Sequence, residues 1–265
     1  MKSATHPVHP CTVTFDPTAY RYRDDRGVEY LFATRLVELF FEPFDKLATA
    51  ERIADRTGRT ALEVIAEWDA KGKAASRFGN HVHAYAAAVV QGEARPQPAT
   101  EAEALAFRVV DRALEQIAQR YDILAAEQLI FHPLAEIAAL VDLVLRDRES
   151  GALCVVDWKT NEEISRENYG KFGCPPLMHV PDSKFARYGL QVSVEGWILR
   201  AGEWIAPDEP IECALIHVAP HATLPQWLDV PFAEAEATAM VQAWWSKGDA
   251  EASADVAGKE AGAGE

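Results

Sequence analysis

Leu153-Cys154-Val155-Val156-Asp157-Trp158-Lys159 decides how this chain folds. Successive side chains of a strand point to opposite faces, so Leu153, Val155, Asp157 and Lys159 share one face while Cys154, Val156 and Trp158 take the other. Apolar residues on both faces predict a central strand covered on each side. A carboxylate and an ammonium emerging together at its end are costly unless paired or coordinated. Asp157 is thus placed to hold a divalent cation, and Lys159 to orient or polarise a water beside it. The competing reading is an ordinary ion pair at a strand end.

Upstream, residues 147–151 form a turn, and Ala138-Ala139-Leu140-Val141-Asp142-Leu143-Val144 is an apolar strand with a single charge in its middle. Antiparallel pairing through that turn brings Asp142 beside Asp157, where two carboxylates repel unless a cation lies between them. Hard oxygen donors without a thiolate favour magnesium or manganese over zinc. Glu127, in the segment 123–131, is a further candidate ligand; the alternative is an exposed glutamate. His81 and His83 share a helix but point apart, so they do not chelate jointly. One imidazole, that of His83, can complete a carboxylate site; otherwise a helix histidine is structural. Gln191, on a helix predicted over 185–199, carries an amide for Lys159 or a nucleotide.

Elsewhere, Tyr20-Arg21-Tyr22-Arg23 and Val28-Glu29-Tyr30-Leu31-Phe32 flank a Gly-bearing turn and predict a hairpin. Residues 49–57 read as a helix ending at Gly58. Thr60-Ala61-Leu62-Glu63 is a capping-box start for a helix reaching about 68–71. Separate helices follow at 74–90 and 100–120, then a strand at 211–218 and a helix at 232–245. Three parts are expected: an N-terminal hairpin and helical extension (1–72), a core (73–247) and a disordered acidic tail (248–265). The four cysteines lack CxxC spacing, which predicts reduced thiols with neither a zinc site nor an iron–sulfur cluster. No apolar run suits a bilayer and no signal peptide is seen, so a cytoplasmic protein without membrane partners is expected. A net charge of −15 argues against non-specific coating of a duplex, although bound cations offset clustered carboxylates.

Taken in order and rough spacing, Gly79-x-x-x-His83, Glu127, Asp142, Asp157-x-Lys159 and Gln191 resemble the PD-(D/E)XK nuclease superfamily, specifically its RecB-like branch, which includes many phage and prophage exonucleases. The resemblance runs from about Phe15 to Val218, with Pro43-Phe44-Asp45 and Trp68 also similar to phage members. It implies an α/β fold, a mixed sheet flanked by helices with a restriction-endonuclease-like core. It implies metal, Mg2+ or Mn2+, held by His83, Asp142, Asp157 and the Trp158 carbonyl, with Glu127 in support and Lys159 as base or water-orienting group. The implied partner is DNA, as a single strand or a duplex end, cut by an exonuclease of recombination or repair in a bacterial or phage-infected cell. Lys171, Lys184, Arg187 and Tyr188, with Tyr169 and Phe172, are then a candidate strand grip by charge and stacking; a solvated connector is the alternative. A structure-specific endonuclease and a non-catalytic DNA-binding or assembly module stay open. Two positions depart from the family: Ala139 stands where glycine is frequent, and Glu195 stands where tyrosine usually follows the glutamine. Either Glu195 faces away from the substrate or substrate handling differs.

Overall fold

A computed structural model describes residues 1–246; the acidic tail expected at 248–265 lies outside them. The strands are β1 (Lys2–Thr5), β2 (Thr12–Asp16), β3 (Arg21–Asp24), β4 (Glu29–Phe32), β5 (Tyr121–His132), β6 (Ile137–Asp147), β7 (Leu153–Lys159), β8 (Ile211–His217) and β9 (Gln226–Val230). The helices are α1 (Ala33–Glu38), α2 (Lys46–Thr57), α3 (Ala61–Gln91), α4 (Glu101–Arg120) and α5 (Lys184–Ala201), with residues 234–246 also helical. All the strands join one mixed sheet in the order β1-β2-β3-β4-β6-β7-β8-β9, with β5 paired to β6 off that path. The fold is mixed α/β.

β7 is central, as its two apolar faces require. Leu153 and Val155 join a cluster with α1, α5 and the helix at 234–246. Cys154, Val156 and Trp158 join another with α3 and α4. Burial pushes the Cys154 thiol up to about 12, so it behaves as a small apolar side chain.

Several elements differ from expectation. The capping box forms as read, with the Thr60 side chain accepting from Glu63 N–H and Glu63 reaching back. The helix it starts runs unbroken through Gly72 to Gln91, so the expected boundary at 72/73 falls inside one rod. Gly72 costs a helix about 1 kcal/mol against alanine, too little to break it while both ends are anchored. α2 packs on its first part and α4 on its last. Nor is the N-terminal hairpin an appendage, because β4 pairs in parallel with β6. β1, β2 and β9 went unread; β1, Lys-Ser-Ala-Thr, is a polar edge strand with no apolar period to betray it.

The sheet forks at the position that matters most. β5 follows one edge of β6 along its length. On the other edge, β4 meets only Ile137 and Ala138, and β7 meets only 143–146. Residues 139–142 therefore lack a strand neighbour on that side among the described residues. Pleating also changes phase here. Val141 and Val144 are three apart, yet both face the α1–α5 cluster, whereas a regular strand turns such residues to opposite faces. In β5, Glu127 has φ of 52°, a left-handed backbone uncommon outside glycine. Fork and phase change together aim Asp142 and Glu127 into the gap.

Candidate metal and catalytic site

A cavity of about 520 Å³ opens at this fork. Its floor carries His83, Glu127, Asp142, Asp157, Lys159 and Gln191, and its outer wall is aromatic: Phe15, Tyr20, Tyr22 and Phe32. The six floor residues come from five elements, α3, β5, β6, β7 and α5.

α3 approaches the end of β7 closely enough that a Cβ at Gly79 would lie 2.9 Å from Thr160 Oγ1. That approach sets His83, one turn later, 3.0 Å from Asp142 Oδ1 through Nδ1. His81 points elsewhere, to Glu103 at 2.9 Å. Asp142 Oδ2 accepts from the Trp158 N–H at 2.8 Å, which ties the β6 carboxylate to β7 just beyond their last ladder pair. Ligand atoms of His83, Glu127 and Asp142 all lie within 4.8 Å of one another.

Asp157 belongs to a second, adjoining group. Its Oδ1 accepts from Gln191 Nε2 at 2.7 Å, and its Oδ2 lies 2.7 Å from Lys159 Nζ. That ion pair is poorly directed, and Oδ2 has no directed hydrogen-bond donor among the described residues. Lys159 gives its directed hydrogen bond to Gln191 Oε1, at 2.9 Å, the contact expected of that amide, and sits 4.3 Å over the Tyr188 ring. Tyr188 is fixed through its hydroxyl, which donates to Asn161 Oδ1 at 2.9 Å.

Glu195 faces the site. It is buried, accepts from Gln191 Nε2 at 3.1 Å through Oε1, and leaves Oε2 without a partner among the described residues. Burial, reinforced by the Asp157 charge, pushes its carboxyl well above the usual range, which favours the protonated form.

The neighbouring charges follow the same physics. Burial opposes the charged form of His83, but the adjacent Asp142 carboxylate overrides it and holds the imidazolium up to about 9. Burial would raise Asp142; His83 and the Trp158 N–H hold it below the usual range instead. Asp157 is raised, by burial first and by the Asp142 charge, with Lys159 pulling the other way. Lys159 would lose its proton to burial, yet Asp157 and Asp142 raise it, so it remains an ammonium.

The expected strand-gripping cations do not reach the cavity. Lys171 is exposed and lies 3.7 Å from Glu42, Lys184 donates to the Glu163 carbonyl, and Arg187 pairs with Asp182 at 2.7 Å while covering Phe41. Each is engaged by its own surroundings; only Tyr188 of that group lines the site. Sequence reading also passed over two contributors. Tyr20 stands at the hairpin tip with φ of 52° and packs edge-on against Phe15 and Phe32. Its aromatic company in 20–23 was a usable signal. Lys2 lies 2.8 Å from Glu127 Oε2, and nothing in its polar tetrapeptide announces that pairing.

No family model and no curated protein matches this chain. A solved structure described as the crystal structure of SSO0001 is similar over 63% of this chain and 73% of its own, at 14% sequence identity and a TM-score of 0.23. At that score the likeness carries no argument about fold or function.

Proposed function

We propose that this chain is a metal-dependent deoxyribonuclease of the PD-(D/E)XK type, acting as an exonuclease. One observation carries the reading: His83, Glu127, Asp142, Asp157, Lys159 and Gln191, scattered from α3 to α5, share one cavity at the fork of the sheet. An ordinary strand-end ion pair needs only Asp157 and Lys159, and leaves the other four unexplained.

The donor set fits a hard divalent cation. An imidazole and two carboxylates lie within 4.8 Å of one another, and a third buried carboxylate beside them has an oxygen met, among the described residues, only by the poorly directed Lys159 ammonium. His83, Glu127 and Asp142 would hold Mg2+ or Mn2+, with Asp157 and the Trp158 carbonyl beside them. When bound, the cation lowers the pKa of a water and offsets charge on the scissile phosphate. Lys159 is a fixed ammonium, so it orients the attacking water and stabilises developing negative charge, and it is no base. Gln191 holds Lys159 and Asp157 in register by bonding both. Burial favours the uncharged form of Glu195, which limits its repulsion toward a phosphate. The aromatic wall, from β2 to β4, closes one side of the cavity, which suits a strand end better than a continuous duplex.

The test is release of nucleotides from linear DNA, with closed circular DNA alongside, in magnesium or manganese. Wild type shortens the linear molecule and spares the circle. Lys159→Gln lowers the rate by about a hundredfold or more while folding normally and still binding DNA. Absence of metal-dependent cleavage by wild type, or an unimpaired Lys159→Gln, refutes the reading; equally fast nicking of the circle leaves the chemistry and removes the exonuclease.

A further inference from the structure

α3 is buried at both ends and bare in its middle. Val64 is buried against α2, and Val82, Tyr85, Ala86 and Ala88 are buried beside α4, yet every residue in 69–77 is exposed. More than two turns of helix thus have no packed face, which marks a span that bridges solvent or meets something else.

Its composition is equally uneven. The chain has 41 acidic residues in 265, but none among the 23 residues of 70–92, where Lys71, Lys73 and Arg77 stand. Lys71 is paired with Glu67 at 2.7 Å. Neither Lys73 nor Arg77 has a carboxylate within 4 Å among the described residues; Arg77 only feels the field of Glu103, whose carboxylate already pairs with His81. Side chains at i, i+4, i+7 and i+11 stack on one helix face, so Lys73, Arg77, Asn80 and Ala84 form a single stripe. Asn80 and Ala84 line the cavity. The stripe therefore leads from the cavity outward along α3, with successive cations about 6 Å apart. Around them stand Ala70, Gly72, Ala74, Ala75 and Ser76, none bulky, and a Cβ at Gly72 would touch nothing within 4 Å.

We infer that the bare turns of α3 are the track along which the substrate strand leaves the cavity, Lys73 and Arg77 each holding a backbone phosphate and Asn80 marking the entrance. The inference rests on the nuclease reading and deepens it by replacing Lys171, Lys184 and Arg187 with a surface free to bind. It also answers the acidity of the chain, because the track is its one long acid-free helical stretch among the described residues.

The experiment measures binding of a fluorescein-labelled oligothymidine by the full chain in EDTA over a rising salt series, and KM and kcat for the same strand in magnesium. Lys73→Gln with Arg77→Gln is compared with wild type and with Lys171→Gln plus Lys184→Gln. All four positions are exposed, so the variants should melt like wild type. Two lost phosphate contacts reduce the slope of log K against log salt by about 1.4 and weaken binding about tenfold. KM rises in step and kcat is kept, while the variant at Lys171 and Lys184 matches wild type. An unchanged slope in the α3 variant, or a loss carried by the variant at Lys171 and Lys184, overturns the track and leaves the nuclease standing. A wild type that neither binds nor cuts the strand overturns both.

Discussion

Metal binding by this site should compete with a proton on His83. In the metal-free chain the ring is an imidazolium held against Asp142 at 3.0 Å and titrating at about 9, but a metal-ligating histidine must be neutral. At about pH 7 roughly one molecule in a hundred has a neutral ring, so apparent affinity for manganese should be about a hundredfold below its limit. It should rise about tenfold per pH unit and level off near 9. Calorimetric titration in buffers of different ionisation enthalpy measures both quantities, with close to one proton released per metal at neutral pH. His83→Asn retains a polar group toward Asp142 but cannot titrate, and should flatten the slope while weakening binding.

Stability carries the same sign. A raised imidazole contributes stability that is fully present below its unfolded value of 6.5 and is lost as pH rises through about 9. That contribution is at most about 3 kcal/mol. The metal-free chain should therefore lose melting temperature between pH 7 and 10 relative to His83→Asn, and the metal-induced gain should grow over the same window. An affinity that is flat with pH, or a slope that survives in His83→Asn, refutes the argument.

Other perturbations test the surrounding parts. Glu195→Gln keeps the shape of the side chain but removes an acid whose pKa burial raises in the folded state. That rise penalises folding increasingly as pH rises above the ordinary carboxyl range, so the variant should melt higher at pH 8 than wild type and by less at pH 5, with activity retained; collapse of activity would show that Glu195 must ionise. Gly79→Ala favours the helix by about 1 kcal/mol yet pushes α3 against Thr160. It should lower kcat with little change in melting, and Thr160→Ala should restore kcat in the double variant; a purely additive pair denies the close approach its role. Tyr20→Ala should raise KM for DNA about fivefold to a hundredfold, the range of one lost base stack, whereas Tyr20→Phe should not. Equal effects of the two would assign the role to the hydroxyl.

What could be read from sequence was local. The β6–β7 hairpin, its turn and the two faces of β7 follow from period-2 alternation across neighbouring residues, so Asp142, Asp157 and Lys159 could be placed together. Gln191 was singled out by its place on the predicted helix and by the resemblance, and of its two expected partners it bonds Lys159. The fork was hidden because it depends on a parallel contact between Leu31 and Ile137, over a hundred residues apart. With it were hidden the φ of Glu127 and the pairing of Lys2, neither of which has a periodic signature, whereas Glu195, four residues after Gln191, falls on the same face of α5 by helical period. The break expected between about 71 and 74 erred in the opposite sense, since Gly72 there is overruled by packing at both ends of α3.

Charge in the metal-free site is nearly closed. Glu127 has Lys2, Asp142 has the His83 imidazolium, Asp157 has Lys159, and burial favours the protonated form of Glu195. Three buried or half-buried carboxylates are thus matched by three cations, which is how a cluster of acids persists in a sheet without unfolding it. On the proposed reading a divalent ion adds two charges, and two of the three resident cations can yield. His83 can release its proton, and Lys2, with a side chain 42% exposed on an edge strand, can swing from Glu127 into solvent. Lys159 cannot follow them, because it is 12% exposed and held by Asp157, Gln191 and the Tyr188 ring. The two cations free to leave are paired to the residues grouped as metal ligands, and the one that must stay is paired to the residue set apart from them. That division explains why Asp157 turns toward Lys159 rather than toward His83, Glu127 and Asp142.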